Sequence, residues 1–270
     1  MASKRILFIS QEVNPYLPAT EQSLLGKQLP HEFHANGFES RIFMPKYSAI
    51  NERRNQLHEV IRLSGMNITI SDTDHPLIIK VASLPPARLQ AYFIYNDDYF
   101  DAMESDEDPV GSNRENNDER IIFYTRGTVE TAKKLRWPPD VIVCSGWMSA
   151  LAPVYLRKIY ADEPSFKSVK IVAVIDDSTF QGTLDPSIVA KLKAEGLKEA
   201  DLKLLKNRDI TTPVLQTLML KYANGIIVNT ANLNPELAPV LESTKAKVLP
   251  YEEASKGTSR WVEFVNSLLG

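Results

Sequence analysis

Short apolar runs that end in polar turns constrain the fold of this chain more than any other feature. Four such runs occupy residues 5–10, 141–144, 169–175 and 225–229. Runs of this length and composition are typical of strands in a parallel sheet that is covered by helices on both faces. Ligands of such sheets bind where the strands end. We therefore expect a site, if the chain has one, near Glu12, Ser145 and Gly146.

Helical patterns alternate with these strands. They cover residues 22–35, 119–135 and 260–269, and the first of them stops before Gly37. Three strand-like runs, at residues 66–70, 77–81 and 91–95, follow one another closely. Their spacing indicates a small antiparallel excursion around residues 60–100. The sequence therefore predicts an α/β fold with a doubly wound, mostly parallel, Rossmann-like sheet.

Residues 101–118 form a polar, acidic segment that contains Pro109 and Gly111. Because this segment has almost nothing to bury, we expect a mobile loop, and we favour a solvated loop over a metal site. No repeat or Gly/Ser-rich linker interrupts the remainder of the chain. We therefore expect residues 1–270 to form a single domain.

Composition excludes several classes of protein. The net charge is −3, and Lys and Arg are scattered along the chain, which argues against a nucleic-acid partner. No run approaches eighteen apolar residues and the first residues lead directly into a strand, so we expect a cytoplasmic protein without membrane contact. The lone cysteine, Cys144, rules out an internal disulfide and is expected to be a small core residue.

Motifs of nucleotide and metal chemistry are absent from the sequence. No glycine-rich fingerprint or Walker loop follows a strand, and no cysteine or histidine spacing fits zinc. Ser145 lacks the glycine two positions earlier that a nucleophile elbow requires. His31 and His34 lie three residues apart, but a partly exposed helix face is the simpler interpretation. We therefore expect no cofactor and no metal.

Several segments form a recognisable series when they are taken in order. They are Ser-Gln-Glu-Val-Asn-Pro at 10–15, Met-Pro-Lys-Tyr at 44–47, Asn-Asp-Glu-Arg at 117–120, Trp-Pro-Pro-Asp at 137–140, Phe-Gln-Gly at 180–182 and Tyr-Ala-Asn-Gly at 222–225. Their order and spacing resemble the amino-terminal half of the bacterial glycogen and starch synthases, which are retaining glucosyltransferases of the GT-B fold. The resemblance covers most of the chain and implies that fold.

The chain departs from this family at three places. The family has a Lys-Thr-Gly-Gly-Leu loop that meets the sugar nucleotide, and residues 18–22 here read Pro-Ala-Thr-Glu-Gln. The family's Cys-His-Asp-Trp is replaced by Cys-Ser-Gly-Trp at 144–147, and its sugar-contacting histidine by Asp176. The resemblance also implies a carboxy-terminal donor-binding domain, which we expect to be absent from residues 1–270. Efficient transfer by this chain alone is then not expected, because closure between two domains positions the donor.

Seven residues are candidates for substrate contact, and none is predicted to be catalytic. They are Glu12, Ser145, Trp147, Asp176, Asp177, Gln181 and Gly182. For Glu12 we favour a role in ordering the turn over ligand contact, and for Trp147 we favour packing over sugar stacking. The carboxylate pair at 176–177 fits either a hard cation such as Mg²⁺ or a turn cap, and we favour the cap. Gln181 and Gly182 are the best candidates for groove contacts.

Three functions stay open at this point. The first is an active ADP-glucose or UDP-glucose glucosyltransferase, alone or with a separate donor-domain chain. The second, which we favour, is a degenerate domain that acts as an accessory or regulatory binder of an α-glucan or a nucleotide sugar. The third is a scaffold without carbohydrate chemistry. We also expect an exposed apolar face at the carboxyl ends of the strands, covered by a homo-oligomer or a protein partner.

Overall fold

The computed structural model describes residues 3–101 and 107–270. The strands in these ranges are β1 (Arg5–Ser10), β2 (Glu39–Pro45), β3 (His58–Glu59), β4 (Met66–Ile70), β5 (Thr73–Leu84), β6 (Leu89–Tyr95), β7 (Val141–Ser145), β8 (Lys170–Ile175), β9 (Gly225–Val228) and β10 (Lys247–Leu249). The helices are α1 (Glu21–Ala35), α2 (Asp97–Phe100), α3 (Asn117–Lys134), α4 (Ala152–Val154), α5 (Ile188–Ala194), α6 (Thr212–Lys221), α7 (Ala238–Ser243), α8 (Tyr251–Ala254) and α9 (Thr258–Leu269).

The strands form one extended sheet in the order β10-β9-β8-β7-β1-β2-β6-β5-β3, with β4 paired to β5. All pairings from β10 to β6 are parallel, and the pairings of β5 with β3, β4 and β6 are antiparallel. This arrangement confirms the predicted mostly parallel α/β sheet. The antiparallel excursion is also present, but β6 returns to the parallel part of the sheet beside β2.

The central strands are buried along almost their whole length, as their apolar sequences predict. Ile42, Phe8, Val143 and Val172 are at most 2% exposed, and they lie side by side in the register of the four strands β2, β1, β7 and β8. Helices therefore cover both faces of the sheet at this point. The loops at the carboxyl ends of β1, β7, β8 and β9 lie beyond this covered part of the sheet.

The acidic segment is packed where the structure describes it. Val110 and Gly111 are buried, and helix α3 begins at Asn117, two residues earlier than expected. The fully buried Arg120 holds the segment, because its guanidinium donates to the carbonyl oxygens of Tyr99, Val110 and Gly111 at 2.9 Å each. Part of residues 107–118 is thus buried, whereas the sequence suggested almost nothing to bury. The mobility of the segment stays a prediction, and residues 102–106 lie outside the described part of the chain.

The expected apolar face over the strand ends is not formed by the described residues. Their exposed large hydrophobic side chains are Leu24 on α1, Ile61 after β3 and Val248 on β10, in three separate places. The strand ends carry carboxylate, amide and hydroxyl groups instead, which water solvates well. None of the described helices is long and apolar enough to cross a membrane.

Candidate functional site

A cleft of about 360 Å³ lies at the carboxyl ends of β1, β7, β8 and β9. Its walls come from the turn after β1, the first turn of α1, the acidic segment around residue 108, and the loops that follow β7, β8 and β9. The position is the one at which an open parallel sheet binds its ligands. The volume is within the range of small-molecule pockets.

Glu12 holds the turn after β1 against the start of α1. One carboxylate oxygen accepts a hydrogen bond from the Gln11 amide at 3.0 Å, and the other accepts one from the Thr20 hydroxyl at 2.8 Å. Thr20 is also the N-cap of α1, where its hydroxyl accepts from the backbone N–H of Ser23 at 2.9 Å. Residues 18–22 therefore form a capped helix start, with Glu21 as the first helical residue.

Gly146 and Asp176 meet across two adjacent strand ends. The backbone N–H of Gly146 donates to Asp176 Oδ2 at 3.1 Å, and the Gln22 amide reaches the same oxygen at 3.3 Å. Gly146 has a φ of +79°, and a Cβ on it would lie 2.5 Å from Gln11 Cβ and from Gln22 Nε2. Only glycine fits this position without a shift of Gln11 or Gln22, and its backbone N–H lies within hydrogen-bond distance of Asp176.

The other oxygen of Asp176 caps its own turn. Asp176 Oδ1 accepts from the Ser178 backbone N–H at 3.1 Å and from the Ser178 hydroxyl at 2.5 Å. Burial and, to a smaller extent, the nearby charge of Glu12 nevertheless raise the pKa of Asp176 from 3.8 to about 6, although the hydrogen bonds from Ser178 and Gly146 act in the opposite direction. Asp176 therefore changes charge close to neutral pH.

The cleft is strongly acidic. Six carboxylates line it: Glu12, Glu21, Glu107, Asp108, Asp176 and Asp177. Among the lining residues that the structure describes there is no Lys, Arg or His. The carboxylates do not converge on a cation, because within residues 3–101 and 107–270 no three acidic, histidine or cysteine side chains are placed to hold a metal ion. The arrangement therefore accepts hydrogen bonds and disfavours anions.

The structure brings four of the seven candidate residues to the cleft, namely Glu12, Ser145, Asp176 and Asp177. The other three lie elsewhere. Trp147 is buried and packs edge-on against Phe180, with ring centroids 5.4 Å apart, because its large apolar ring gains more from the core than from solvent. Gln181 and Gly182 are exposed outside the lining residues, and the Gln181 backbone N–H donates to the Ser112 carbonyl at 3.1 Å.

Sequence reasoning missed several polar residues of the cleft, four of which contact the carboxylates in its wall. Gln11, Thr20, Gln22 and Ser178 all line it, and all interact with Glu12 or Asp176. Their position at strand and helix ends was the available signal. Their contacts were not predictable, because Gln22 and Asp176 are 154 residues apart in the chain.

The chain is similar in sequence to known glycogen synthases. The glycogen synthase of Chlorobium limicola is 32% identical over 249 residues, which cover 90% of this chain and 51% of that protein. The glycogen synthase of Chlorobium phaeobacteroides is 37% identical over 192 residues, which cover 71% of this chain and 39% of that protein. The chain thus spans about half or less of the length of these relatives.

The fold is also found in a solved structure. The catalytic domain of starch synthase IV from Arabidopsis thaliana, bound to ADP and acarbose, matches with a TM-score of 0.72 and 14% sequence identity. The match covers 92% of this chain and 51% of that chain. At this identity the likeness shows the fold alone, which is that of a GT-B glycosyltransferase domain.

A family model adds the final observation. The model of the starch synthase catalytic domain matches residues 5–228, which contain every strand that lines the cleft. Together with the sequence relatives, this match shows that the chain belongs to the starch synthase catalytic domain family.

Proposed function

We propose that this glycogen synthase-like domain is an accessory or regulatory binder whose cleft takes a neutral α-glucan and does not take the diphosphate of a nucleotide sugar. The acidic lining of the cleft carries the proposal. Two like unit charges 4 Å apart repel by ~1 kcal/mol in water and by ~4 kcal/mol near a protein surface. A diphosphate would meet this repulsion from several carboxylates at once.

The start of α1 supports the same conclusion. The family loop that meets the sugar nucleotide carries a lysine and two glycines, and here the corresponding residues form the capped first turn of α1 with Glu21 exposed at the cleft. A carboxylate at this position reverses the sign of the local charge. The hydrogen bonds of Thr20 to Glu12 and Ser23 also hold the turn in one conformation.

A neutral sugar fits the hydrogen-bonding groups of the cleft. The carbonyl oxygen of the Gln11 amide is buried and has no hydrogen-bond partner among residues 3–101 and 107–270. A buried acceptor without a partner costs roughly 1–3 kcal/mol, which a donor from a ligand recovers once the Gln11 side chain turns toward the cleft. Sugar hydroxyl groups are such donors, and the carboxylates accept hydrogen bonds from them as well.

Titration calorimetry with maltoheptaose and with ADP-glucose tests the proposal. We expect heat of binding from maltoheptaose and none from ADP-glucose. The variant Glu21→Lys should introduce measurable binding of ADP, because it replaces a repulsive charge by an attractive one, and should change maltoheptaose affinity by less than about threefold. Glu242→Lys makes the same change in net charge on exposed α7 and should leave both titrations unchanged. Binding of ADP-glucose by the unmodified chain would refute the proposal.

Family membership favours a second candidate function. Under this second function, the chain binds the acceptor glucan of an active glucosyltransferase, and a donor-binding domain from another polypeptide or segment completes the enzyme. Transfer of labelled glucose from ADP-glucose to maltoheptaose would then be seen when that domain is supplied. Under the proposed accessory function, the same mixture gives no labelled product above the level of the donor domain alone.

A further inference from the structure

A second, smaller cavity adjoins the cleft on the other side of the loop after β8. Its volume is about 160 Å³, and it lies between that loop, the first turns of α6 and the segment after β9. Its lining residues are Ile175, Asp176, Asp177, Thr179, Thr212, Pro213, Gln216, Thr230, Asn232, Asn234 and Leu237. Three of them, Asp176, Asp177 and Thr179, line the cleft as well, so one loop forms the wall between the two spaces.

Gln216 on α6 gives this cavity an unusual feature. The residue is only 6% exposed and lines the cavity, yet its side-chain amide makes no hydrogen bond to any residue within the described ranges. The amide is open to the cavity, because its atoms are not among the fully buried polar atoms that lack a partner. The amide offers two donors and one acceptor to whatever occupies the cavity.

The remaining lining groups suit a neutral polyol. Thr230 donates to Asp177 Oδ1 at 2.6 Å, and the Thr212 hydroxyl oxygen accepts from the Phe180 backbone N–H at 3.2 Å, so both hydroxyls are fixed in orientation at the cavity. Ile175, Pro213 and Leu237 add an apolar surface. A pyranose ring presents hydroxyl groups at its edge and C–H groups on its face, and the cavity offers a partner to each.

The charge and the volume of the cavity limit the classes of ligand that it can bind. Two carboxylates line the cavity, and no Lys, Arg or His is found among its described lining residues, so an anion is disfavoured although α6 begins here. The volume is about half of the ~300 Å³ at which ordinary small-molecule pockets begin. A single sugar ring fits such a space, and a nucleotide does not.

We propose that this cavity is a second carbohydrate subsite, which binds one neutral hexose ring through Gln216 and the hydroxyl groups around it. The inference rests on the proposed function only in the class of ligand, because the residues that hold the ring differ from those of the cleft. A glucan would then contact the chain on both sides of the loop that carries Asp177.

Amide chemical-shift changes in the ¹⁵N-labelled chain, recorded with maltose and with maltoheptaose, test the subsite. We expect saturable changes at the Gln216 side-chain amide and at the Asn232 backbone with both sugars. Gln216→Leu should weaken binding at this position about tenfold, which is the loss of roughly one to two neutral hydrogen bonds. Because the Gln216 amide makes no hydrogen bond to the part of the chain that the structure describes, the variant should fold normally.

Two further variants keep the result interpretable. Asn232→Ala, on the exposed rim, should weaken maltose binding by about threefold without any risk to the core. Gln28→Leu makes the same change as the main variant on an exposed face of α1 and should have no effect. Changes confined to Gln22 and Gly146 would overturn the subsite and leave the proposed function standing. Changes confined to Gln216 and Asn232 would support the subsite and refute glucan binding in the cleft, and no change anywhere would refute both.

Discussion

Gly146 lies between Gln11 and Gln22 and has no room for a side chain. We expect Gly146→Ala to lower the free energy of unfolding by ~3 kcal/mol, because the φ of +79° is strained for alanine and the new Cβ would overlap both side chains. Gly182→Ala is the matched control, since Gly182 also has a positive φ, of +69°, but nothing lies within 4 Å of the added Cβ. Denaturant unfolding should show a loss of only ~1 kcal/mol there. Equal losses in the two variants would mean that crowding around Gly146 is absent.

Asp176 makes stability depend on pH. Because its pKa is raised from 3.8 in the unfolded chain to about 6 in the fold, the folded state holds the proton more tightly. The stability that this group contributes is complete below about pH 4 and is lost as the pH rises to about 6. Carboxyl-carbon NMR of the labelled chain should give a titration midpoint near 6. A midpoint near 4 would contradict this assignment.

Two neighbours of Asp176 should move that midpoint in opposite directions. Ser178→Ala removes a hydrogen bond to the charged carboxylate and should raise the pKa of Asp176, whereas Glu12→Gln removes a nearby negative charge and should lower it. Ser243→Ala, on exposed α7, is the control and should leave the midpoint in place. If both variants shifted the pKa of Asp176 in the same direction, the contacts of its carboxylate with Ser178 and Glu12 would differ from those in the structure.

The N-terminus of helix α1 depends on Thr20. Its hydroxyl caps the helix and also donates to Glu12, so Thr20→Ala should cost ~1–2 kcal/mol of stability. Thr211 is the N-cap of α6 but makes no side-chain capping bond. Thr211→Ala should therefore cost less than ~0.5 kcal/mol in the same thermal and denaturant unfolding experiments. A larger loss of stability in Thr211→Ala than in Thr20→Ala would show that the link between the turn and the helix does not stabilise the fold.

Helix α3 fixes the acidic wall of the cleft through Arg120. The planar guanidinium reaches three carbonyl oxygens from different directions, which a lysine ammonium cannot do. We expect Arg120→Lys to destabilise the chain by ~2–4 kcal/mol and to raise protease cleavage around residue 110. The exposed Arg54 is the control, and Arg54→Lys should change neither the stability nor the protease cleavage around residue 110. Unchanged cleavage in Arg120→Lys would mean that other contacts hold the segment.

At the scale of the whole molecule, self-association stays a prediction. The strand ends carry a polar cleft, and helix α1 borders it. Among the described residues of that helix, the exposed large hydrophobic side chain is Leu24. The exposed apolar area that a homo-oligomer could bury at this face is therefore smaller than the sequence suggested. Sedimentation velocity over a wide concentration range measures it directly. A single monomeric species at all concentrations would refute the homo-oligomer.

The sequence alone determined most of the strands, their order along the chain and the edge of the sheet at which a site could form. These properties follow from local patterns, since a run such as residues 141–144 is recognisable without knowing its neighbours. The positions of Glu12, Ser145 and Asp176 at strand ends were predictable for the same reason. The segment resemblance to the glycogen and starch synthases likewise depends only on order and spacing.

Tertiary structure decided which of those polar groups meet and what their contacts do. The hydrogen bonds of Asp176 to Gly146 and Gln22 join three distant segments, and its raised pKa depends on burial that no local pattern encodes. Sequence reasoning likewise could not predict that Arg120 is buried or that the Gln216 amide makes no hydrogen bond to the described residues. Strand and helix propensities act between near neighbours, whereas burial and hydrogen bonding depend on how the sheet brings remote residues together.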